Sequence, residues 1–481
     1  MDRTAATFIN VIRVCLIVAP ILASVMSLTS DYNRHPDEIH HFEAARYYID
    51  HFLPPEIGDP AVRNSYSVWG VSYLNYHWIE YLLAGKFILL ISPITGDELT
   101  AARLFNVVLF AALAVFFIYV SRSDRDLLII PAFLLITPQV WYVFSYVNND
   151  AYPLAISFLA AYQAIYPTSA LNRFLAVGKV GIGLAAGLLL GLLLISKTNY
   201  YAFLIFLGLW VIYRSQVFRN FDGRMKLNTT VLGRLALIGL MGVAILGFRC
   251  SLDVYVNGET NFVGLSYVNY FLGDFEQKQS KLLEYQEQVA EPQFKPSTID
   301  RDLGGTFPEF RLRDKGASYT EIFSKWRWHE TSFESFVGVY GYMNIFAGKW
   351  YYRVIGMFYV AFVAYLIGVI AMRRRRDEIV ALVIFLVGAS ISLFISSYLS
   401  WSYALQAQGR YLFPILPMLA CLVFFLRDSI NRAVMAGFVI SCFAMAVYSF
   451  IYIGVRNVDS PPVSLTAISA TETAASLVVR R

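Results

Sequence analysis

Four short polar clusters could carry chemistry in an otherwise apolar chain. The first is His35-Pro36-Asp37-Glu38-Ile39-His40-His41-Phe42. Adjacent carboxylates beside imidazoles are the side chains that general acid–base catalysis uses. The second is Ser145-Tyr146-Val147-Asn148-Asn149-Asp150, and the third is Ser196-Lys197-Thr198-Asn199. The fourth is Gln408-Gly409-Arg410-Tyr411. Lys197 is a point charge, and Arg410 offers a planar fork suited to phosphate oxygens. Each cluster also has an ordinary reading. Acidic residues favour a helix N-terminus by about 0.3–1 kcal/mol. Asn and Asp are turn formers, a lysine can snorkel to a membrane interface, and an Arg-Tyr pair can anchor there. Trp69, Tyr73, Trp78, Trp326 and Trp328 could stack on sugar faces or form an interfacial belt.

Other patterns are silent. Gly178-Lys179 lacks the preceding glycine loop of a phosphate cradle. His40 and His41 point to different helix faces, so no metal site is expected with Asp37. Gly183, Gly187 and Gly191 suit close helix packing. The four cysteines show neither metal-ligand nor disulfide spacing.

The elements that must position these clusters are membrane helices. Of 481 residues, 57% are hydrophobic and 15% charged, against about 25% charged in soluble domains. Apolar runs recur near the ~20 residues needed to cross a bilayer. This excludes a soluble enzyme, a nucleic-acid binder and a disordered protein. The net charge of +5 owes four units to Arg373, Arg374, Arg375 and Arg376, which lie between two apolar runs. Eleven transmembrane helices are expected, near 8–29, 99–120, 127–146, 151–167, 180–196, 199–213, 234–252, 353–372, 379–397, 411–427 and 433–453. The first reads as a retained helix and not a cleaved signal.

One set of loops carries Arg122, Arg125, Arg173, Lys179, Arg214, Arg219, Arg224, Lys226, Arg234, the four arginines, Arg427 and Arg432. The short loops opposite hold only Lys197 and Arg410. The basic side is then cytoplasmic, with the N-terminus inside. Residues 79–94 contain Glu80 and Lys86, and a crossing there would turn the four arginines outward. We read this segment as an interfacial helix. A twelve-helix arrangement with an external N-terminus also keeps the arginines inside, but it places loop 31–78 in the cytoplasm. Residues 36–53 read as an amphipathic surface helix with Asp37 and Glu38 in its first turn. The chain thus divides into a core over 1–252, whose first outer loop (30–98) carries surface helices, a large outer loop (253–352), C-terminal helices (353–456) and a poorly ordered tail (457–481).

All four clusters fall on the outer face. Together with the large outer loop, the motifs Pro36-Asp37-Glu38, Val147-Asn148-Asn149-Asp150, Ser196-Lys197-Thr198 and Gly409-Arg410-Tyr411 resemble a bacterial branch of the GT-C membrane glycosyltransferases. That superfamily includes protein O-mannosyltransferases and the aminoarabinose transferase of lipid A. The resemblance covers most of residues 9–427. It implies an all-α GT-C bundle in the cell inner membrane with a periplasmic active site. It implies inverting transfer of a sugar from a polyprenyl-phosphate donor to a hydroxyl on a glycan, lipid or protein acceptor. On that pattern Asp37 is the general base, and Glu38 and His41 orient it or bind sugar. Lys197 and Arg410 hold the donor phosphate, while Asn149, Asp150, Gln408 and Tyr411 complete the substrate site. No cofactor is expected: some GT-C members use a divalent metal, but the acidic second-loop motif of the oligosaccharide transferases is not evident here. A flippase or transporter of lipid-linked sugars, or a polymerase or ligase of surface polysaccharide, are the alternatives.

Overall fold

In hydrocarbon every backbone polar group must be bonded internally, so long apolar runs fold as helices. The computed structural model describes residues 3–221, 224–258, 281–301 and 311–459 and is mostly helical. The helices in chain order are α1 (Arg3–Thr29), α2 (Glu38–Tyr47), α3 (Glu80–Thr95), α4 (Glu98–Val120), α5 (Ile129–Ala132), α6 (Pro138–Val143), α7 (Ala151–Ile165), α8 (Ala170–Val177), α9 (Val180–Leu194), α10 (Tyr201–Arg214) and α11 (Thr229–Asn257). Then come α12 (Lys281–Val289), α13 (Pro296–Arg301), α14 (Glu321–Ser324), α15 (Trp328–Gly338), α16 (Lys349–Arg373), α17 (Arg376–Ser402), α18 (Ile415–Phe425) and α19 (Arg432–Tyr448). Two small antiparallel hairpins pair Phe218–Phe221 with Arg224–Leu227 and Val339–Tyr340 with Ile345–Phe346.

Among the described residues, six helices are long and apolar enough to cross a membrane: Asn10–Thr29, Glu98–Val120, Thr229–Asn257, Lys349–Arg373, Arg376–Ser402 and Arg432–Val455. The bent pair α7–α8, which turns by 41°, would make a seventh. The other expected spans are shorter or broken. α9 and α10 have 15 and 14 residues. The segment expected as one helix over 127–146 is α5 and α6 separated by a turn. Proline explains the break. Pro138 opens α6, and the Thr137 hydroxyl accepts the Gln139 amide in place of a helical bond. The whole segment is buried among other helices, where irregular backbone is tolerated. Asn106 of α4 donates to Tyr146 O at 2.6 Å, so this segment runs back alongside α4.

The surface helix is also shorter than expected. It covers Glu38–Tyr47 instead of 36–53 and buries Glu38, His41, Phe42, Ala44 and Ala45. It packs on α3 and α4. The reason is tertiary. Gly85 of α3 lets that helix approach so closely that a Cβ there would meet Ala45 O. The chain turns away at Tyr48, and Lys86 Nζ takes the freed Ile49 carbonyl at 3.0 Å. Phe52 is left 71% exposed. The glycines of α9 do pack closely: added Cβ atoms at Gly183, Gly187 and Gly191 would meet Phe174, Met241 and Ile245.

The basic loops gather at one end of the bundle. Arg13 donates to Ser121 Oγ, Arg427 and Arg432 approach Asp126, Arg373 donates to Asp428 O, and Tyr213 donates to Asp377. At the other end the chain leaving α19 returns to the start of the first loop, where the Asp31 amide donates to Asp459 Oδ1. The tail beyond Asp459 and residues 259–280 and 302–310 of the large loop lie outside the described residues.

Candidate functional site

At the end opposite the arginine loops lies a cavity of about 280 Å³. Asp37, His41, Asn149, Lys197, Gln408, Arg410 and Tyr411 all line it. They come from four segments far apart in sequence, and each is delivered by a local device.

Asp37 occupies the N-cap position of α2, yet its side chain makes no capping hydrogen bond. Its backbone is left-handed, with φ of 57°, an unusual state that Asp tolerates better than most residues. The carboxylate is exposed to the cavity, with the Tyr73 hydroxyl 3.4 Å from Oδ2. No side-chain cap bond therefore occupies this carboxylate.

Glu38 is placed elsewhere. It does not line the cavity; it is fully buried and held in a two-bond fork by Arg103, at 2.7 and 2.8 Å. Arg103 also donates to the carbonyls of Ser27, Ser30 and Asp31. Buried and paired in this way, Glu38 fixes the loop from which Asp37 projects. His41 lies against Tyr73 at 3.9 Å, and its Nδ1 bonds the Tyr81 hydroxyl at 2.6 Å. Burial, with Arg410 and Lys197 nearby, holds its imidazole well below the usual range, so it is neutral at pH 7.

The opposite wall is cationic. Lys197, in the turn between α9 and α10, is 7% exposed and donates to Asp150 Oδ1 at 2.6 Å and Asn149 Oδ1 at 3.1 Å. Burial pulls its pKa down, and Asp150 opposes that shift. Arg410 donates to Gln408 Oε1 at 2.7 Å and lies 3.7 Å from Asp150 Oδ2. Asp150 thus sits behind the wall, between two cations. Its turn is built by Asn148, whose Oδ1 accepts the amides of Asp150 and Ala151. Arg410 is set by Gly409, where a Cβ would collide with the Phe336 backbone. The Gly409 amide donates to Ser335 Oγ at 2.6 Å. Tyr411 lies under Lys197, 5.1 Å from its Nζ.

Of the aromatics singled out for stacking, Tyr73 and Trp78 line the cavity, joined by Tyr76, whose ring is 4.2 Å from that of Trp78. Trp69 packs on Phe294, and Trp328 is buried with its N–H on Ser400. Trp326 is not part of the lining.

Several residues lining or near the cavity were given no role there from sequence. Arg103 and Glu80 are charges inside apolar runs, a signal that marks paired or functional groups. Glu80 is 2% exposed, with neither carboxyl oxygen hydrogen-bonded, and burial pushes it up to about 8. Ser392, Ser396 and Ser400 of α17 also line the cavity; their four-residue spacing was legible.

No protein-family model matches the chain, and no curated protein matches it significantly.

Proposed function

We propose that the protein is an inverting GT-C-type glycosyltransferase that takes a sugar from a polyprenyl-phosphate donor. The observation that carries the reading is one cavity with an uncapped carboxylate, Asp37, on one wall and two cations, Lys197 and Arg410, on the other. The Asp37 carboxylate takes the proton of an acceptor hydroxyl, on a glycan, lipid or protein. The acceptor oxygen attacks the anomeric carbon from the side opposite the phosphate, so the configuration inverts. The lipid phosphate leaves with its charge stabilised by the two cations, which are fixed before the reaction begins. Two cations offset by Asp150 leave a net single charge, which suits a phosphodiester. The neutral His41 and the Tyr73 ring shape the space beside the base. A separate apolar cavity of about 370 Å³ between α7, α9, α10 and α11 includes Leu193, one turn before Lys197, and offers a path for the lipid chain.

In the same reading the short helices complete an eleven-crossing path. The arginine loops face the cytoplasm. The cavity and the large loop face the periplasm across the inner membrane.

Transfer from polyprenyl-phosphate sugars by the purified protein, wild type beside Asp37→Asn, tests this. Transfer by the wild type and its loss in a folded variant is the expected result. Full activity in Asp37→Asn would remove the base.

A further inference from the structure

Resting on that reading, we infer that a ladder of hydroxyls on α17 is the subsite for an uncharged sugar, the glycosyl unit of the donor. Ser392, Ser396 and Ser400 recur every four residues and share one face of the helix. All three line the cavity. Gly388 continues the stripe one turn deeper, where a Cβ would come within 2.8 Å of Phe206 Cβ and 2.9 Å of Met418 Sδ. The helices are in close contact there, and the cavity opens above that level.

The three hydroxyls are not equivalent. Ser392 donates to the Gly388 carbonyl four residues back, at 3.2 Å, the habit of serine within a helix. Ser400 accepts the Trp328 indole N–H at 2.9 Å. Ser396 does neither. It is 8% exposed, and its Oγ has no hydrogen-bond partner. A buried polar atom without a partner is destabilising, and beside this cavity a bound group can supply the partner that the fold does not. The complement of such an atom is a ligand hydroxyl.

The lining residues from α10 and α17 are Ala202, Ser392, Ile395, Ser396, Leu399 and Ser400, and none is charged. A carboxylate or ammonium placed against them would be desolvated without a counter-charge. The structure therefore assigns this wall to a neutral sugar, and leaves the phosphate to Lys197 and Arg410.

Calorimetric binding to the purified full chain in nanodiscs tests the assignment. The probes are a short-chain polyprenyl phosphate, the same lipid phosphate carrying a neutral hexose, and the same carrying a uronic acid. The hexose should tighten binding to the wild type, and the uronic acid should not. Ser396→Ala should reduce the hexose increment by roughly three- to tenfold, leave the bare lipid phosphate unaffected and not lower the melting temperature. Ser396→Val, which also fills space, should abolish the increment. An unchanged increment in both variants, or a uronic acid bound as tightly as the hexose, would overturn the subsite alone. Failure of the bare lipid phosphate to bind the wild type would overturn the glycosyltransferase reading and the subsite with it.

Discussion

Asp37 stands at the head of a helix whose amides its carboxylate does not bind, and Glu38, its neighbour, is paired with Arg103. Two adjacent acids of one motif therefore lie in separate surroundings, Asp37 on the cavity and Glu38 behind it. A positioned base contributes about 10²–10⁴ in rate. Asp37→Asn should then lower kcat by at least about a hundredfold at unchanged melting temperature. A parallel fall in melting temperature would mean the residue is structural. Arg410→Ala should raise the donor KM at least about tenfold, corresponding to one charge-assisted hydrogen bond; an unchanged KM would separate Arg410 from the phosphate.

Glu80 gives a pH prediction. Its folded pKa is pushed up to about 8 by burial, above the ordinary value of about 4.3. Between these values the folded chain holds a proton that the unfolded chain has lost. Stability is thus greatest at the acid end of that window and falls as pH rises through it, by on the order of a few kcal/mol. Glu80→Gln should flatten melting temperature between pH 5 and 8. Equal slopes in variant and wild type would mean that Glu80 does not titrate there.

At the scale of elements, α2 is held by a buried ion pair and by close contact with α3. Removing one partner of such a pair costs about 3–5 kcal/mol. Glu38→Ala should therefore lower the melting temperature sharply and lose activity with it, unlike Asp37→Asn; a stable Glu38→Ala would discount the clamp. The length of α2 was not readable from its apolar spacing, because its end is set by Lys86 and by the Ala45–Gly85 contact, both tertiary. Likewise, hydropathy over 127–146 marked an apolar segment but not its break. The prolines were visible, yet whether a helix kinks or divides at proline depends on what packs around it.

For the whole molecule, the side on which the arginine loops lie governs everything else. A reporter fused after Arg376 should read cytoplasmic and one near Pro60 external, and the reverse result would turn the cavity inward. What the amino-acid order determined unaided was local or additive: apolar runs long enough for lipid, the clustering of cations in alternate loops, the close packing of the α9 glycines, and the presence of four polar motifs. Packing alone decided which members of those motifs meet. Asp37 faces the cavity while Glu38 does not, Lys197 and Arg410 share Asp150, and the serines of α17 form a wall, because these relations join residues distant along the chain and depend on the angles at which helices cross. Hydropathy is a sum over neighbours in sequence, whereas a site is a coincidence in space.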